Sequence, residues 1–295
     1  MKRFLLPLFV FLLFICNSAF LGASELEILG GFNGLTYNPS KIDAYSELDT
    51  EKEFTYYTFW LTNVNFRHDI SEILNFSLNI ERDNVLQNSV STIFGVKTDY
   101  ININFGVFTG LTDKFTRPDA GITGNLELIA AKTLFFAISG SSTLGTQYGF
   151  TSNNSRETAG VSLGFWVGSA IPSISADMKT FSRQIKDDIF IDDTLYRFSF
   201  KIDFLIKNTN TSGYINTGYQ VYSRAYKEET LEFTDSLKSY FAGFGFYWQS
   251  KPLGFKIGVE LPFKNSAKKP MTAANSAKDY LLFSKAYAGF VFTFD

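Results

Sequence analysis

The sequence predicts an all-β chain that folds as a closed antiparallel transmembrane β-barrel of about 14 strands, connected as an up-and-down meander. Three observations predict this fold class. Strand-length segments alternate apolar and polar residues, and the connections between them alternate between tight and long. The composition is rich in strand-forming aromatics, with 33 Phe and 15 Tyr in 295 residues. A mean hydropathy of −0.00 is too polar for a helical membrane bundle but suits strands with one polar face.

The first 24 residues predict a cleaved secretory signal peptide. They begin with basic Lys2 and Arg3, continue with an apolar run from Phe4 to Ile15, and end with small residues from Gly22 to Ser24. An uncleaved anchor is the alternative, but the apolar run is shorter than the ~20 residues that a spanning helix needs. We therefore expect an exported protein.

The mature chain, residues 25–295, is expected to form one barrel domain that starts at Glu25. Lipoprotein processing at Cys16 is a further alternative, which the bulky Ile15 before it disfavours. Cys16 is the only cysteine and leaves with the signal peptide, so the mature protein has no disulfide and no thiol chemistry.

The charge balance of the mature chain argues against a nucleic-acid partner. Removal of Lys2 and Arg3 from the 27 basic residues leaves 25, against 29 acidic ones, which gives a formal charge of −4. Binding to a phosphate backbone depends on an excess of basic side chains. This chain has none.

The strands are recognised by their period of two. The clearest runs from Tyr196 to Ile206, where Tyr196, Phe198 and Phe200 alternate with Arg197, Ser199 and Lys201. The same pattern predicts strands near 26–37, 54–66, 73–81, 89–97, 100–111, 121–131, 134–141, 158–168, 173–183, 195–207, 212–224, 239–249, 254–264 and 282–294. Each is near the ~9–11 residues that a tilted membrane strand requires.

The connections distinguish a membrane barrel from a soluble β-sandwich, which also alternates. Those after even-numbered strands are tight: 67–72, 98–99, 132–133, 169–172, 208–211 and 250–253. Those after odd-numbered strands are longer and polar: 38–53, 82–88, 112–120, 142–157, 184–194, 225–238 and 265–281. An outer-membrane barrel has short periplasmic turns and long outer loops, whereas a Greek-key sandwich has no such rule.

The chain ends with aromatic residues on one face of its last strand. Phe290, Phe292 and Phe294 alternate after Gly289, and Asp295 follows. This ending resembles the C-terminal signal of bacterial outer-membrane β-barrel proteins of the porin-like kind, in which a terminal aromatic closes the pattern. Asp295 departs from it. The resemblance implies recognition by the barrel-assembly machinery, contact with outer-membrane lipid and location in the bacterial outer membrane.

The sequence predicts neither an enzyme nor a bound cofactor. His68 is the only histidine and falls in a predicted tight turn, where we expect it to be solvated rather than catalytic. A zinc site built on histidine is excluded because neither a second histidine nor a cysteine can join it. The weak metal candidate is the acidic stretch with Asp187, Asp188, Asp192 and Asp193, whose spacing lacks the pattern of a calcium loop.

The polar faces of the strands predict the lining of the lumen. Counting the phase of each strand assigns the following ionisable residues to the interior: Glu127, Asp177, Lys179, Arg197, Lys201, Asp203, Arg224, Lys256 and Glu260. Ionisable side chains inside a barrel need water or mutual pairing. Barrels of ~8 strands are filled by side chains and those of 16–18 leave channels, so about 14 strands favours an open lumen.

We therefore expect a channel for passive diffusion of small hydrophilic solutes, with weak ion selectivity because the lumen charges nearly balance. The alternative is a surface-displayed barrel with a closed lumen, whose acidic outer loops bind partners as an adhesin or structural protein. A transporter of hydrophobic substrates is disfavoured because the first strand starts almost at the predicted cleavage site and leaves no plug segment. The sequence leaves open the solute and whether the barrel forms a homo-oligomer.

Overall fold

The computed structural model describes residues 23–37, 56–83, 85–111, 119–144, 154–186, 189–206, 209–228, 231–268 and 284–294. They form one closed barrel of 14 antiparallel strands, each paired with its neighbours in sequence, and β1 pairs with β14 to close the ring. The predicted fold class is confirmed. Residues 1–22 of the predicted signal peptide lie outside the described part of the chain.

The strands have the following bounds: β1 Ser24–Tyr37, β2 Tyr56–Asp69, β3 Leu74–Asp83, β4 Gln87–Lys97, β5 Ile101–Leu111, β6 Asp119–Ala130, β7 Leu134–Thr143, β8 Ser155–Phe165, β9 Ala170–Lys186, β10 Ile189–Ile206, β11 Thr211–Glu228, β12 Leu231–Trp248, β13 Leu253–Lys268 and β14 Lys285–Phe294. All 14 predicted strands are present.

One end of the barrel carries the six tight links that the sequence predicts. They are residues 70–73, 98–100, 131–133, 166–169, 207–210 and 249–252. Two have local hydrogen bonds that explain their tightness. The Thr98 hydroxyl accepts the backbone N–H of Ile101 at 3.0 Å, and the Ser71 hydroxyl accepts that of Leu74 at 3.0 Å. Such side-chain caps favour short turns.

At the other end of the barrel, the prediction that all connections are long is partly wrong. Residues 184–194 and 225–238 were expected to be long loops, but only residues 187–188 and 229–230 separate β9 from β10 and β11 from β12. The link between β3 and β4 is also short, at residues 84–86. The polar residues that suggested loops belong to strands, because charged partners on adjacent strands satisfy them there.

The barrel wall is therefore taller on one side. β9 has 17 residues and β10, β11 and β12 have 18 each, whereas β3 and β7 have 10. At ~3.3 Å per residue, the long strands extend roughly 25 Å further along the chain direction than the short ones. The longest strands pair with one another in register over almost their full length.

The outer surface of the barrel is apolar and aromatic. Phe94, Phe105 and Phe244 are 58%, 60% and 60% exposed, and they lie on β4, β5 and β12. The following large apolar side chains share this exposure: Ile103, Val107, Ile174, Phe198, Ile215, Leu261 and Phe290. Among the described residues no helix is long and apolar enough to cross a bilayer.

Candidate functional site

The candidate site is the interior of the barrel, which several ion pairs cross. Lys179 on β9 donates to Asp83 on β3 at 2.6 Å, although β3 and β9 lie six strands apart around the ring. Arg197 on β10 pairs with Glu260 on β13. Because the outer wall is convex, side chains of non-neighbouring strands can meet only through the interior.

The tip of the β3–β4 hairpin is folded into the barrel. Asp83 Oδ1 accepts the backbone N–H groups of Val85 at 2.8 Å and Leu86 at 2.9 Å, and Val85 is 0% exposed. Arg156 on β8 donates to the carbonyl oxygens of Leu86 and Asn88. Asp83 thus shapes the tip with one carboxylate oxygen and binds Lys179 with the other.

Arg156 links this hairpin to the wall formed by β6, β8 and β9. Its Nε lies 3.0 Å and 2.9 Å from the two carboxylate oxygens of Asp119, and its guanidinium lies 4.3 Å from the centre of the Phe181 ring. Both charged side chains are almost completely buried. An arginine that contacts a carboxylate, two carbonyls and a ring in one orientation is held rigidly.

A second buried cluster centres on Asp193, in β10. Arg183 donates to it at 2.8 Å and the Tyr222 hydroxyl at 2.6 Å, and Arg224 on β11 contacts both carboxylate oxygens. This corrects the loop assigned to the stretch with Asp192 and Asp193, because both are strand residues.

The weak metal hypothesis loses these two carboxylates. Asp193 is occupied by two arginines, and Asp192 accepts the Ser182 hydroxyl and pairs with Lys227. Asp187 and Asp188 lie outside the described residues. Within the described ranges, no group of three or more His, Cys, Asp or Glu residues is placed to hold a metal ion.

Inside the barrel, side chains from seven strands line a cavity of only about 60 Å³. Its ionisable lining consists of three acids and three bases: Asp83, Asp177, Glu260, Lys179, Arg197 and Lys285. Asn33, Leu195 and Gln220 complete it. We name these nine residues the constriction. A cavity this small holds a few water molecules at most.

Buried apolar side chains lie on the long strands β9, β10 and β12, and one of them contacts the constriction. Phe181, Ile191, Leu237 and Phe241 are each at most 5% exposed. The Arg197 guanidinium lies 3.9 Å from the centre of the Phe241 ring, which holds it toward Glu260. These contacts fix the charged layer from one side.

Toward the end with the tight links, the lumen widens into a cavity of about 470 Å³, which we name the vestibule. Lys201 and Asp203 pair there at 2.7 Å, and Lys256 on β13 pairs with Glu27 on β1. A second cavity of about 850 Å³ lies among the turns at residues 70–73 and 98–100.

The remaining residues assigned to the lumen from the sequence have these places. Glu127 on β6 accepts the side-chain amide of Asn102 at 2.7 Å. Asp177 accepts the hydroxyl of Ser175 at 2.9 Å and lines the constriction, as do Lys179, Arg197 and Glu260. Lys201, Asp203 and Lys256 line the vestibule, whereas Arg224 is buried against Asp193. The nine residues are therefore divided among separate levels of the barrel.

The solvated turn expected for His68 is wrong. His68 lies within β2 and is 5% exposed, and its Nδ1 lies 2.8 Å from the hydroxyl of Ser24 on β1. It pairs with Phe76 on β3. Because successive side chains of a strand point to opposite faces, His68 lies on the face of the sheet opposite to Arg67 and Asp69. The sequence placed His68 in a turn because it ended the second strand at residue 66, three residues before the strand ends in the structure.

The C-terminal strand closes the barrel. Phe290 and Phe294 are exposed on the outer surface, and Phe290 packs edge-on against Phe255 at 5.8 Å. Phe292 lies next to Phe290, with ring centres 6.5 Å apart. A side chain at Gly289 would collide with the carbonyl oxygen of Ile28 on β1, so a glycine is required where β14 meets β1.

Several site residues were not assigned to the lumen from the sequence: Glu27, Asp83, Asp119, Arg156, Arg183, Asp193 and Lys285. All of them except Lys285, which falls inside the predicted strand 282–294, lie at, next to or beyond a predicted strand end. The alternation of the strands could have identified two of these residues as facing the interior. Asp83 continues the phase of Glu81, and Asp193 continues that of Leu195 and Arg197.

Solved structures resemble the barrel only distantly. An outer membrane channel from Pseudomonas putida F1 shares 9% identity over 92% of this chain and 95% of that chain, with a TM-score of 0.48. OmpT, an outer membrane protein of Vibrio cholerae, shares 8% identity over 92% and 96%, with a TM-score of 0.41. An anion-selective porin from Comamonas acidovorans shares 10% identity over 92% and 98%, with a TM-score of 0.36.

No protein-family model matches the chain, and no characterised protein matches it in sequence. Identities and TM-scores this low do not carry the activity of those proteins over to this chain. Its function has to be inferred from its own residues.

Proposed function

We propose that this protein is an outer-membrane channel of narrow bore that passes ions and the smallest hydrophilic solutes by diffusion. The proposed location is supported by the exterior, where Phe94, Phe105 and Phe244 are more than half exposed on three different strands. A large aromatic surface around a closed barrel suits hydrocarbon, because every backbone hydrogen bond is satisfied within the sheet. Export through the signal peptide at residues 1–24 and recognition of Gly289 to Phe294 by the assembly machinery belong to the same proposal.

The observation that carries the proposal is the Asp83–Lys179 pair. It bridges strands on nearly opposite sides of the ring at 2.6 Å and limits the bore at that level. The vestibule of about 470 Å³ adjoins the same lumen, and its mixed lining includes the charged side chains of Glu27, Lys201, Asp203 and Lys256, which water would solvate. A polar lumen with one narrow level supports slow passage of small solutes rather than free passage of large ones.

The charges at the constriction support weak ion selectivity. Three acids and three bases line the enclosed cavity there, so neither sign is in excess. Selectivity in pores follows from an excess of one sign near the narrowest level. We therefore propose low conductance and a reversal potential near zero under a salt gradient.

The test is single-channel recording of the purified mature protein in planar bilayers. Step-like conductance much smaller than that of wide porins, with a reversal potential near zero, is the expected result. Absence of any conductance from protein that is folded and inserted would contradict the channel. Heat-modifiable migration on gels reports folding, so an unfolded sample is not mistaken for a closed one.

The second candidate is a closed barrel that displays its outer loops to a binding partner. The observation that favours it is the acid–base pairing of the interior, in which Asp83, Asp119 and Asp193 are each matched to a basic side chain. Val85, buried at the hairpin tip, adds an apolar obstruction. The acidic loop at residues 38–53 lies outside the described residues. The same recordings separate the candidates, because a closed barrel conducts nothing.

A further inference from the structure

The vestibule has an unusual wall of tyrosines that lie flat against neighbouring glycines. A Cβ on Gly258 would fall 2.7 Å from Cε1 of Tyr287, and one on Gly245 would fall 2.6 Å from Cζ of Tyr214. Tyr214 pairs directly with Gly245 on β12, and Tyr287 with Gly258 on β13. Because the glycines lack side chains, each ring can lie along the wall, with its other face toward the cavity.

Tyr247 extends this wall, since a Cβ on Gly254 would lie 3.2 Å from its Cε2. The Tyr214 and Tyr287 hydroxyls lie 2.9 Å apart. Three tyrosines from β11, β12 and β14 thus line one side of the cavity with aromatic surface and hydroxyl groups.

Two lysine–carboxylate pairs border the tyrosines. Lys201 lies 5.0 Å from the centre of the Tyr214 ring and pairs with Asp203. Lys256 lies 4.8 Å from the centre of the Tyr247 ring and pairs with Glu27. The amines donate hydrogen bonds and the carboxylates accept them, so the border offers both kinds of partner with no net charge.

We propose that the vestibule binds a neutral saccharide, with one sugar ring stacked on Tyr287 and its hydroxyls bonded to the two lysine–carboxylate pairs. The C–H face of a sugar ring suits the negative face of an aromatic ring. Sugar hydroxyls both donate and accept, so they can bond to a lysine and its carboxylate without separating them. A charged ligand would have to break one of these pairs.

The size of the vestibule fits such a ligand. Its volume of about 470 Å³ lies within the ~300–1,000 Å³ range of small-molecule sites. The proposal rests on the proposed function only in placing the vestibule on the periplasmic side. It requires the cavity itself and not conduction, so the two can fail separately.

The experiment is isothermal titration calorimetry on the full mature protein in a detergent without a sugar headgroup. The probes are glucose, N-acetylglucosamine and maltotriose, with glutamate and inorganic phosphate as charged comparators. We expect saturable binding of at least one saccharide and weaker or no binding of the charged probes. Saccharides that give no saturable heat up to their solubility limit, or charged probes that bind more tightly, would overturn the proposal.

Variants locate the binding. Tyr287→Ala should weaken saccharide affinity about tenfold or more by removing the stacking face, and Asp203→Asn should weaken it about threefold by removing a charged acceptor. Tyr100→Ala is the matched control, because Tyr100 lies in the exposed 98–100 turn outside the vestibule lining. Circular dichroism and heat-modifiable migration verify folding. If Tyr287→Ala does not fold, Asp203→Asn decides, and unchanged affinity in the folded variants overturns the site.

Discussion

Lys179 on β9 reaches across the lumen to Asp83 on β3, with Nζ 2.6 Å from Oδ2. Asp83 uses its other oxygen to bind the backbone of Val85 and Leu86, so one carboxylate both bridges the barrel and shapes the hairpin tip that lies inside it. This ion pair is therefore one of the contacts that set the width of the lumen at this level.

Lys179→Met should widen the channel. The variant removes the amine that holds Asp83, while the hairpin tip keeps its contacts with Arg156. We expect single-channel conductance to rise about twofold or more, because the narrowest level dominates the resistance of a pore. Lys132→Met is the control, since Lys132 pairs with Asp99 on the exposed turn surface. Equal conductance of the Lys179 variant and wild type would show that the pair does not set the bore.

Lys285→Gln should shift the channel toward cations. The constriction then has three acids and two bases, and the local potential becomes negative. Recordings under a potassium chloride gradient should show the reversal potential displaced toward that of potassium. Lys132→Gln removes the same charge far from the constriction and should leave the reversal potential unchanged. A shift of equal size in both variants would assign the effect to overall charge.

Asp193→Asn should destabilise the barrel by about 3–5 kcal/mol, the usual cost of removing one partner of a buried ion pair. Arg183 and Arg224 are both buried against Asp193 and would lose its negative charge. Urea unfolding in lipid vesicles, followed by tryptophan fluorescence, measures the change. Asp203→Asn is the control, because the side chains of its pair with Lys201 are 39% and 42% exposed and such a pair is worth about 1 kcal/mol or less. A loss for Asp193→Asn no larger than for the control would contradict the buried cluster.

The sequence predicted the ring of strands because alternation is a local signal that each strand carries by itself. The run from Tyr196 to Ile206 alternates throughout, and its apolar residues Tyr196, Phe198 and Phe200 are exposed on the outer surface. The same alternation weakens where both faces of a strand are polar, as in residues 225–238. The sequence therefore predicted a loop where the structure has strand. These residues are held in strands by cross-strand pairs such as Lys227 with Asp192, which only the register reveals.

The ion pairs that cross the lumen could not be predicted from the sequence. The alternation along each strand assigned Lys179, Arg197 and Glu260 to the interior. No local pattern in the sequence shows which residue on another strand each of them contacts. That depends on the strand count, the stagger and the inward fold of the β3–β4 hairpin. Arg156 illustrates the limit, since its backbone contacts at Leu86 and Asn88 lie some 70 residues away in sequence.

The two ends of the barrel should differ in access from outside the cell. The single cysteine, Cys16, lies in the predicted signal peptide, so after the proposed cleavage Asp188→Cys, Ser155→Cys and Thr209→Cys would each carry one thiol. Residues 187–188 and Ser155 lie at one end of the strands, and residues 207–210 lie at the other. A membrane-impermeant maleimide added to intact cells should label the first two variants, and Thr209→Cys only after lysis. Labelling of all three in intact cells would contradict the orientation.

Phe294→Ser should impair membrane insertion. Phe294 is the last residue of β14 and is exposed on the outer surface, opposite Ser24 of β1 in the pair of strands that closes the ring. A serine there removes apolar surface from the strand whose pairing with β1 closes the ring, and it places a hydroxyl where lipid offers no partner. We expect less heat-modifiable protein in the outer-membrane fraction and more in the periplasm, measured by fractionation and gel migration. Thr293→Ser, on the other face of the same strand, is the matched control and should insert normally. Normal insertion of the Phe294 variant would show that the terminal aromatic is dispensable, because the closing register from Glu25 with Thr293 to Phe32 with Ala286 would then suffice.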